Sequence, residues 1–245
     1  MAQLNSWGYV DMSGIDEQSV AATLSGVFSL VPESIIHGTP VTRLVIIGQH
    51  GLVRGQERLG RQSLALDFAG KVAKYMGASN GRWNKRFALD AGNNNRVSDF
   101  YDVNDTWKPV STRHDMWDAN LIWVEHYDRK SLFYPAFQTI YADNTSILNN
   151  FMIMAACAYL KRVAYRSWTY LSGKQLTREQ LIEQSNRFIS NAIDGIFHGK
   201  YDVTPDTYLT DADNERGYSW HCDITIKGNV SKTVGKYTIN AERSD

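Results

Sequence analysis

Residues 145–171 constrain this chain more than any other stretch. Their first half, 151–160 (FMIMAACAYL), is apolar on every side of a helical projection. A helix without a polar face must be surrounded by protein, so other elements have to wrap it. The apolar run is about half the length a bilayer crossing needs, which leaves burial inside a folded body. Polarity returns at Lys161, Arg162, Arg166 and Ser167, and that predicts a helix whose second half comes to the surface. Asp143 or Asn144 is placed to cap its start and Gly173 to end it.

Residues 177–196 supply part of the wrapping. Thr177 and Gln180 form a capping-box pattern ahead of Leu181, Ser185, Phe188, Ile189, Ala192, Ile193 and Ile196, a single apolar stripe at helical spacing. This second helix is expected to pack on the first. From Tyr201 the period changes to two. Trp220, Cys222, Ile224 and Ile226 share one face of a strand, with 211–217 read as the turn before it. A last strand over 234–243 begins at Val234 and sets Tyr237, Ile239 and Ala241 on one face. No helix follows to cover its edge, and an unpaired edge is blunted, paired within the fold or used to recruit another chain.

The preceding half alternates helix and strand signals. Residues 1–12 read as a polar arm bearing Trp7 and Tyr9. Ser13 and Asp16 mark a helix start, with Val20, Leu24, Val27 and Phe28 on one face and Pro32 beyond its end. Residues 41–48 (VTRLVIIG) predict a central strand, 63–76 a helix and 120–127 (NLIWVEHY) another strand. Two stretches lack periodicity, 49–61 with Gly51, Gly55 and Gly60, and 78–98 with its Asn-Gly turns. The expected class is mixed α+β, helices packed on a mixed β-sheet.

Charge narrows the choice of partner. The 26 basic and 26 acidic residues cancel and form no long run of one sign, so neither nucleic acid nor an anionic membrane is drawn to this chain by a net field. Another protein is the expected partner, a second copy included. Cys157 and Cys222 are read as free thiols in a reducing compartment, since 1–9 lacks the basic start and apolar core of an export signal.

Chemical motifs are sparse. Arg113, His114, Asp115 and Asp118, with Glu125, His126 and Asp128 further on, hold ligand types for a divalent ion, and a metal-dependent hydrolase on His114, Asp118 and His126 is the enzymatic alternative. They lack HExxH or paired-cysteine spacing, and loop capping is the simpler reading. His50 follows an apolar strand where α/β sheets often place functional groups, yet a strand-end turn explains it as well. GQHGLVRG at 48–55 has neither the P-loop Lys-Ser/Thr nor dinucleotide spacing. Trp83, Trp107, Trp117 and Trp123 are read as core or interface anchors, and Lys71, Lys74, Lys85 and Arg86 as a solvated face. No catalytic, cofactor-binding or metal residue is assigned, and no cofactor is expected.

Several local motifs carry a resemblance. Phe133-Tyr134-Pro135 runs into Thr139-Ile140-Tyr141-Ala142-Asp143-Asn144-Thr145-Ser146-Ile147-Leu148-Asn149; Arg166 and Trp168 sit near the end of the long helix; Gly217-Tyr218-Ser219-Trp220 leads into one strand and Lys232-Thr233-Val234 into the last. This pattern resembles the C-terminal core of contractile-tail sheath proteins of bacteriophages, over 109–245. The resemblance implies three regions: an extended arm (1–12), a first part of the core (13–108) and a sheath-like core (109–245). It also implies a structural subunit, without enzymatic activity, that self-assembles into a helical tube around the inner tail tube and contracts to drive injection. Its partners would be further copies of itself, the tail tube protein, and baseplate and terminator proteins, in the tail of a virion assembled in the host cytoplasm. The subunits would be linked by strand exchange, with 1–12 and 234–243 donated and 220–226 accepting. Trp7, Tyr9, Trp220, Cys222, Ile224, Ile226, Val234, Tyr237, Ile239 and Ala241 are then the expected interface residues. The chain is short for such a subunit, so a tail terminator, collar or baseplate component is the nearest alternative.

Overall fold

The computed structural model describes residues 8–11, 44–47, 49–76, 92–97, 99–103, 121–126, 131–135, 137–139, 149–194, 201–216 and 220–228. In chain order these give β1 (Gly8–Asp11), β2 (Leu44–Ile47), β3 (His50–Val53), β4 (Gln62–Ser63), α1 (Leu64–Met76), β5 (Phe100–Val103), β6 (Leu121–Ile122), β7 (Glu125–His126) and β8 (Leu132–Phe133). The long helix α2 (Phe151–Leu171), α3 (Arg178–Ile193), β9 (Tyr201–Tyr208), α4 (Asp211–Arg216) and β10 (His221–Gly228) complete them. The expected helix over 13–28, the region near His114 and Asp118, Trp7, Val234, Tyr237, Ile239 and Ala241 lie outside the described residues.

The class is mixed α+β, as expected. Its strands form separate small groups: β1-β2-β6, all parallel, the antiparallel groups β4-β3-β5 and β7-β8, and the β9-β10 pair. The apolar strand β2 explains one departure from the sequence reading. It is paired on both edges, by β1 and by β6, so residues 8–11 of the expected free arm are a strand of the chain's own sheet. A four-residue run of Leu, Val and Ile has little to gain from leaving either edge in water.

Two further corrections concern elements that local pattern splits or merges wrongly. The stretch 49–61, patternless in sequence, contains β3, which pairs with β4 and β5. At Gly51 an added Cβ would collide with the Asp102 carbonyl oxygen; this glycine permits a close approach of backbones rather than ending a strand. The single strand expected over 120–127 is two, β6 and β7, which join different sheets. At that bend Gln49 reaches across, its amide oxygen accepting from the Val124 N–H and its amide nitrogen donating to the Val124 carbonyl.

One apolar core runs through α1, α2 and the segments between them. Phe68 of α1 stands at its centre, with ring centroids of Phe151 at 5.3 Å and Tyr134 at 5.5 Å in edge-to-face contact and Phe137 at 6.0 Å. Residues on both sides of position 108 share this core, from Ile47 to Tyr201. The first half of α2 is buried as its composition demands: Phe151, Met152, Ile153, Ala155 and Ala156 are almost wholly inaccessible. Its cap is Asn150, whose side chain accepts from the N–H groups of Met152 and Ile153 at 2.9 and 3.2 Å; Asp143 and Asn144 lie outside the described residues. Gly173, with φ +79°, follows the helix end, where the Ser172 N–H bonds the Trp168 carbonyl.

Candidate assembly interface

The β9-β10 hairpin sits on α3 and the end of α2. The alternation read from the sequence is present: Trp220, Cys222, Ile224 and Ile226 are half-buried, while His221, Asp223, Thr225 and Lys227 are exposed. Cys222, Ile224 and Ile226 turn inward and pack against the main core, joined from β9 by Val203. These side chains therefore anchor the hairpin to its own body. What they leave for a neighbour is their backbone.

Polar contacts fix the hairpin's position. Thr207 donates its hydroxyl to Ser185 of α3 at 2.9 Å, and Ser185 lies 3.5 Å from Ser167 of α2, a buried hydroxyl chain joining three elements. Arg178, at the start of α3, donates to the Leu209 carbonyl at 2.7 Å and pairs with Asp211 at 3.4 Å. The capping box of Thr177 and Gln180 holds that helix start, as the sequence predicts. Beyond β9, residues 211–217 are not the simple turn expected but include the short helix α4. Thr210 and Asp213 cap it reciprocally: the Thr210 hydroxyl accepts from the Asp213 N–H at 3.1 Å, and the Asp213 carboxylate accepts from the Thr210 N–H at 3.1 Å. Asp213 also meets His221 at 2.9 Å, and the His221 ring stacks on Tyr208 with centroids 5.2 Å apart.

The register of the hairpin tells its two edges apart. Cys222 faces Thr207, Ile224 faces Pro205 and Ile226 faces Val203. The Thr207 N–H bonds the Asn186 side chain at 3.0 Å, so it points away from β10 and the Thr207/Cys222 pair is of the non-hydrogen-bonded kind. Such pairs alternate along an antiparallel ladder, which makes Pro205/Ile224 and Val203/Ile226 of the same kind. The outer edge of β9 is thereby closed: Pro205 has no N–H to offer and Thr207 has spent its own on α3. The outer edge of β10 is the opposite. Cys222, Ile224 and Ile226 direct both N–H and C=O away from β9, without an interrupting proline, and among the described residues β10 pairs with β9 alone.

Two solved chains of related assemblies share much of this backbone. A chain of the anti-feeding prophage baseplate, from a six-fold symmetrised cryo-EM structure, superposes with a TM-score of 0.61 at 10% identity over 93% of this chain and 66% of its own. A chain of the anti-feeding prophage helical sheath in its contracted state gives 0.55 at 12% identity, over 91% and 67%. The fold is that of sheath and baseplate chains. A sheath tail protein from Desulfitobacterium hafniense gives 0.48 at 9% identity, covering 91% of this chain and 56% of that one. This chain thus spans about two thirds of the length of the anti-feeding prophage chains. No protein-family model matches the sequence, and no curated protein matches it.

The remaining candidates from the sequence have structural surroundings. Trp123 is buried and donates its indole N–H to Glu125 at 2.8 Å. Lys71 is buried rather than on a solvated face, its ammonium donating to the Arg96 carbonyl; burial pushes its pKa down, with Asp67 opposing. Cys157 is half-buried in α2, and burial pushes its thiol up, away from the reactive thiolate. His50 lies in β3 opposite Ser63. The backbone of His126 lies in β7; His114 and Asp118 lie outside the described residues. Among the described residues no group of three or more His, Cys, Asp or Glu is placed to hold a metal ion, and no helix is long and apolar enough to cross a membrane.

Proposed function

We propose that this chain is a structural subunit of a contractile tail sheath, self-assembling around an inner tube and acting without cofactor or catalytic step. The observation that carries this reading is the superposition on anti-feeding prophage baseplate and sheath chains across more than nine tenths of the chain. The outer edge of β10, unpaired among the described residues, gives the reading a physical means. A neighbour's extended segment, of which 234–243 is the candidate, adds as a strand beside Cys222, Ile224 and Ile226. Each main-chain hydrogen bond so formed contributes roughly 1 kcal/mol net, and a ladder of them outweighs any exposed ion pair, which contributes about 0–1 kcal/mol.

Strand links suit a machine that changes shape. Main-chain bonds through a flexible connection tolerate rotation of the globular bodies, whereas close-packed faces do not deform continuously. Links persist while faces repack, and small energies per copy add along the assembly. Its further partners are the tail tube, baseplate and terminator proteins, and its place is the virion tail, after synthesis in the host cytoplasm. The likeness to a baseplate chain favours a second reading, a baseplate, collar or terminator component closing as one ring. Negative-stain microscopy of the purified chain separates the two: tubes or stacked rings are expected, single closed rings support the second reading, and monomers at every concentration contradict both.

A further inference from the structure

The emerging half of α2 presents an exposed surface rich in aromatic and basic side chains. Lys161, Arg162, Tyr165, Arg166, Trp168 and Thr169 are exposed on one arc of the helix. Tyr165 is 66% and Trp168 48% accessible, and their rings lie 5.5 Å apart. The helix contains no carboxylate at all, and neither Arg162 nor Arg166 has a carboxylate partner among the described residues. Tyrosine, tryptophan and arginine together are the composition of an interface centre, and lysine-rich or acidic solvated faces look different.

The outer face of the hairpin is its electrostatic complement. Asp202, Asp206 and Asp223 are exposed there; Lys227 stands opposite Asp202, and His221 is the other basic residue of the two strands. Asp206 stands directly opposite Asp223 in the ladder, an arrangement that destabilises a sheet unless a cation intervenes. The spacings agree. Arg162 and Arg166 are one helical turn apart, about 6 Å along the axis, and two side chains opposed across a ladder start about 5 Å apart. Beside the carboxylates, Tyr208, stacked on His221, offers an exposed flat ring for Tyr165 to cover.

We propose that the exposed arc of Arg162, Tyr165 and Arg166 of one copy docks on the outer β9-β10 face of the next. The two surfaces differ, so a contact made once per pair of copies is head-to-tail, and its rotation decides whether it closes as a ring or propagates. This rests on the self-assembly reading above and deepens it: the strand edge is the persistent link, and the arc is a face that docks alongside it.

Two variants of the full chain test the pairing. One carries Arg162→Glu with Arg166→Glu, the other Asp206→Lys with Asp223→Lys, all at exposed positions. Sedimentation velocity and microscopy are expected to show each variant alone assembling roughly tenfold or more weakly than the unmodified chain. An equimolar mixture is expected to assemble again, because each reversed helix finds a reversed hairpin, a rescue that a misfolded variant cannot give. Either variant assembling normally by itself, or a mixture that fails, overturns the docking while leaving self-assembly standing. An unmodified chain that stays monomeric removes both. Normal self-assembly with loss of binding to a separate tail protein also overturns it, by assigning the arc to that protein.

Discussion

Tyr134 shows how much of this fold rests on groups that sequence distance hides. Its ring completes the Phe68 cluster, and its hydroxyl donates to the Asp67 carboxylate at 2.9 Å across a separation of 67 residues. Burial, and then the charge of Asp67, push its phenol well above the usual range. A folded-state pKa raised in this way gives stability that is complete below the unfolded tyrosine value, about 10, and is lost as pH rises beyond it. Tyr134→Phe is therefore expected to cost about 1 kcal/mol at neutral pH, through the lost hydrogen bond to Asp67, and to decline less steeply than the unmodified chain above pH 10 or so. Urea unfolding of both proteins across that range checks it; equal slopes would contradict it. Phe133-Tyr134-Pro135 is legible as a motif, but Asp67 as the partner of Tyr134 is not. Gly51 misleads for a related reason, since a glycine that admits the Asp102 carbonyl looks, in sequence, like one that ends a strand.

Elements governed by neighbouring residues are the most legible. The Thr177/Gln180 box, the α3 stripe from Leu181 to Ile193 and the two-residue period of β10 all emerge as expected, because caps and periodicities are local, while Ile196 lies outside the described residues. The same rule applies to α4: Thr210 and Asp213 have the capping spacing, obscured by a run of turn-forming residues. What sequence does not supply is register. Periodicity identifies Cys222, Ile224 and Ile226 as one face, but only their opposition to Thr207, Pro205 and Val203 shows that their backbone groups point to the outer edge. This distinction is open to test with proline. Thr225, in a hydrogen-bonded pair with Thr204, loses a ladder bond on Thr225→Pro, with an expected cost of about 1–3 kcal/mol in thermal or urea unfolding. Cys222→Pro removes only an outward N–H, as Pro205 does on the opposite strand. It is expected to disturb stability less and assembly more, and the reverse order would refute the edge assignment.

For the molecule as a whole, the proposed assembly uses two dissimilar surfaces of one core: the backbone edge of β10 to join copies, and the aromatic, basic arc of α2 to position them. The expectation that 8–11 would be donated gives way because β2 takes those residues as its own neighbour, a competition between strands that no local pattern reveals. If copies join at the outer edge of β10, amide hydrogen exchange at Cys222, Ile224 and Ile226 differs between monomer and assembly. Fast exchange is expected in the monomer and protection at all three amides on assembly. Assembly that leaves those three amides exchanging at the monomer rate would contradict joining at that edge.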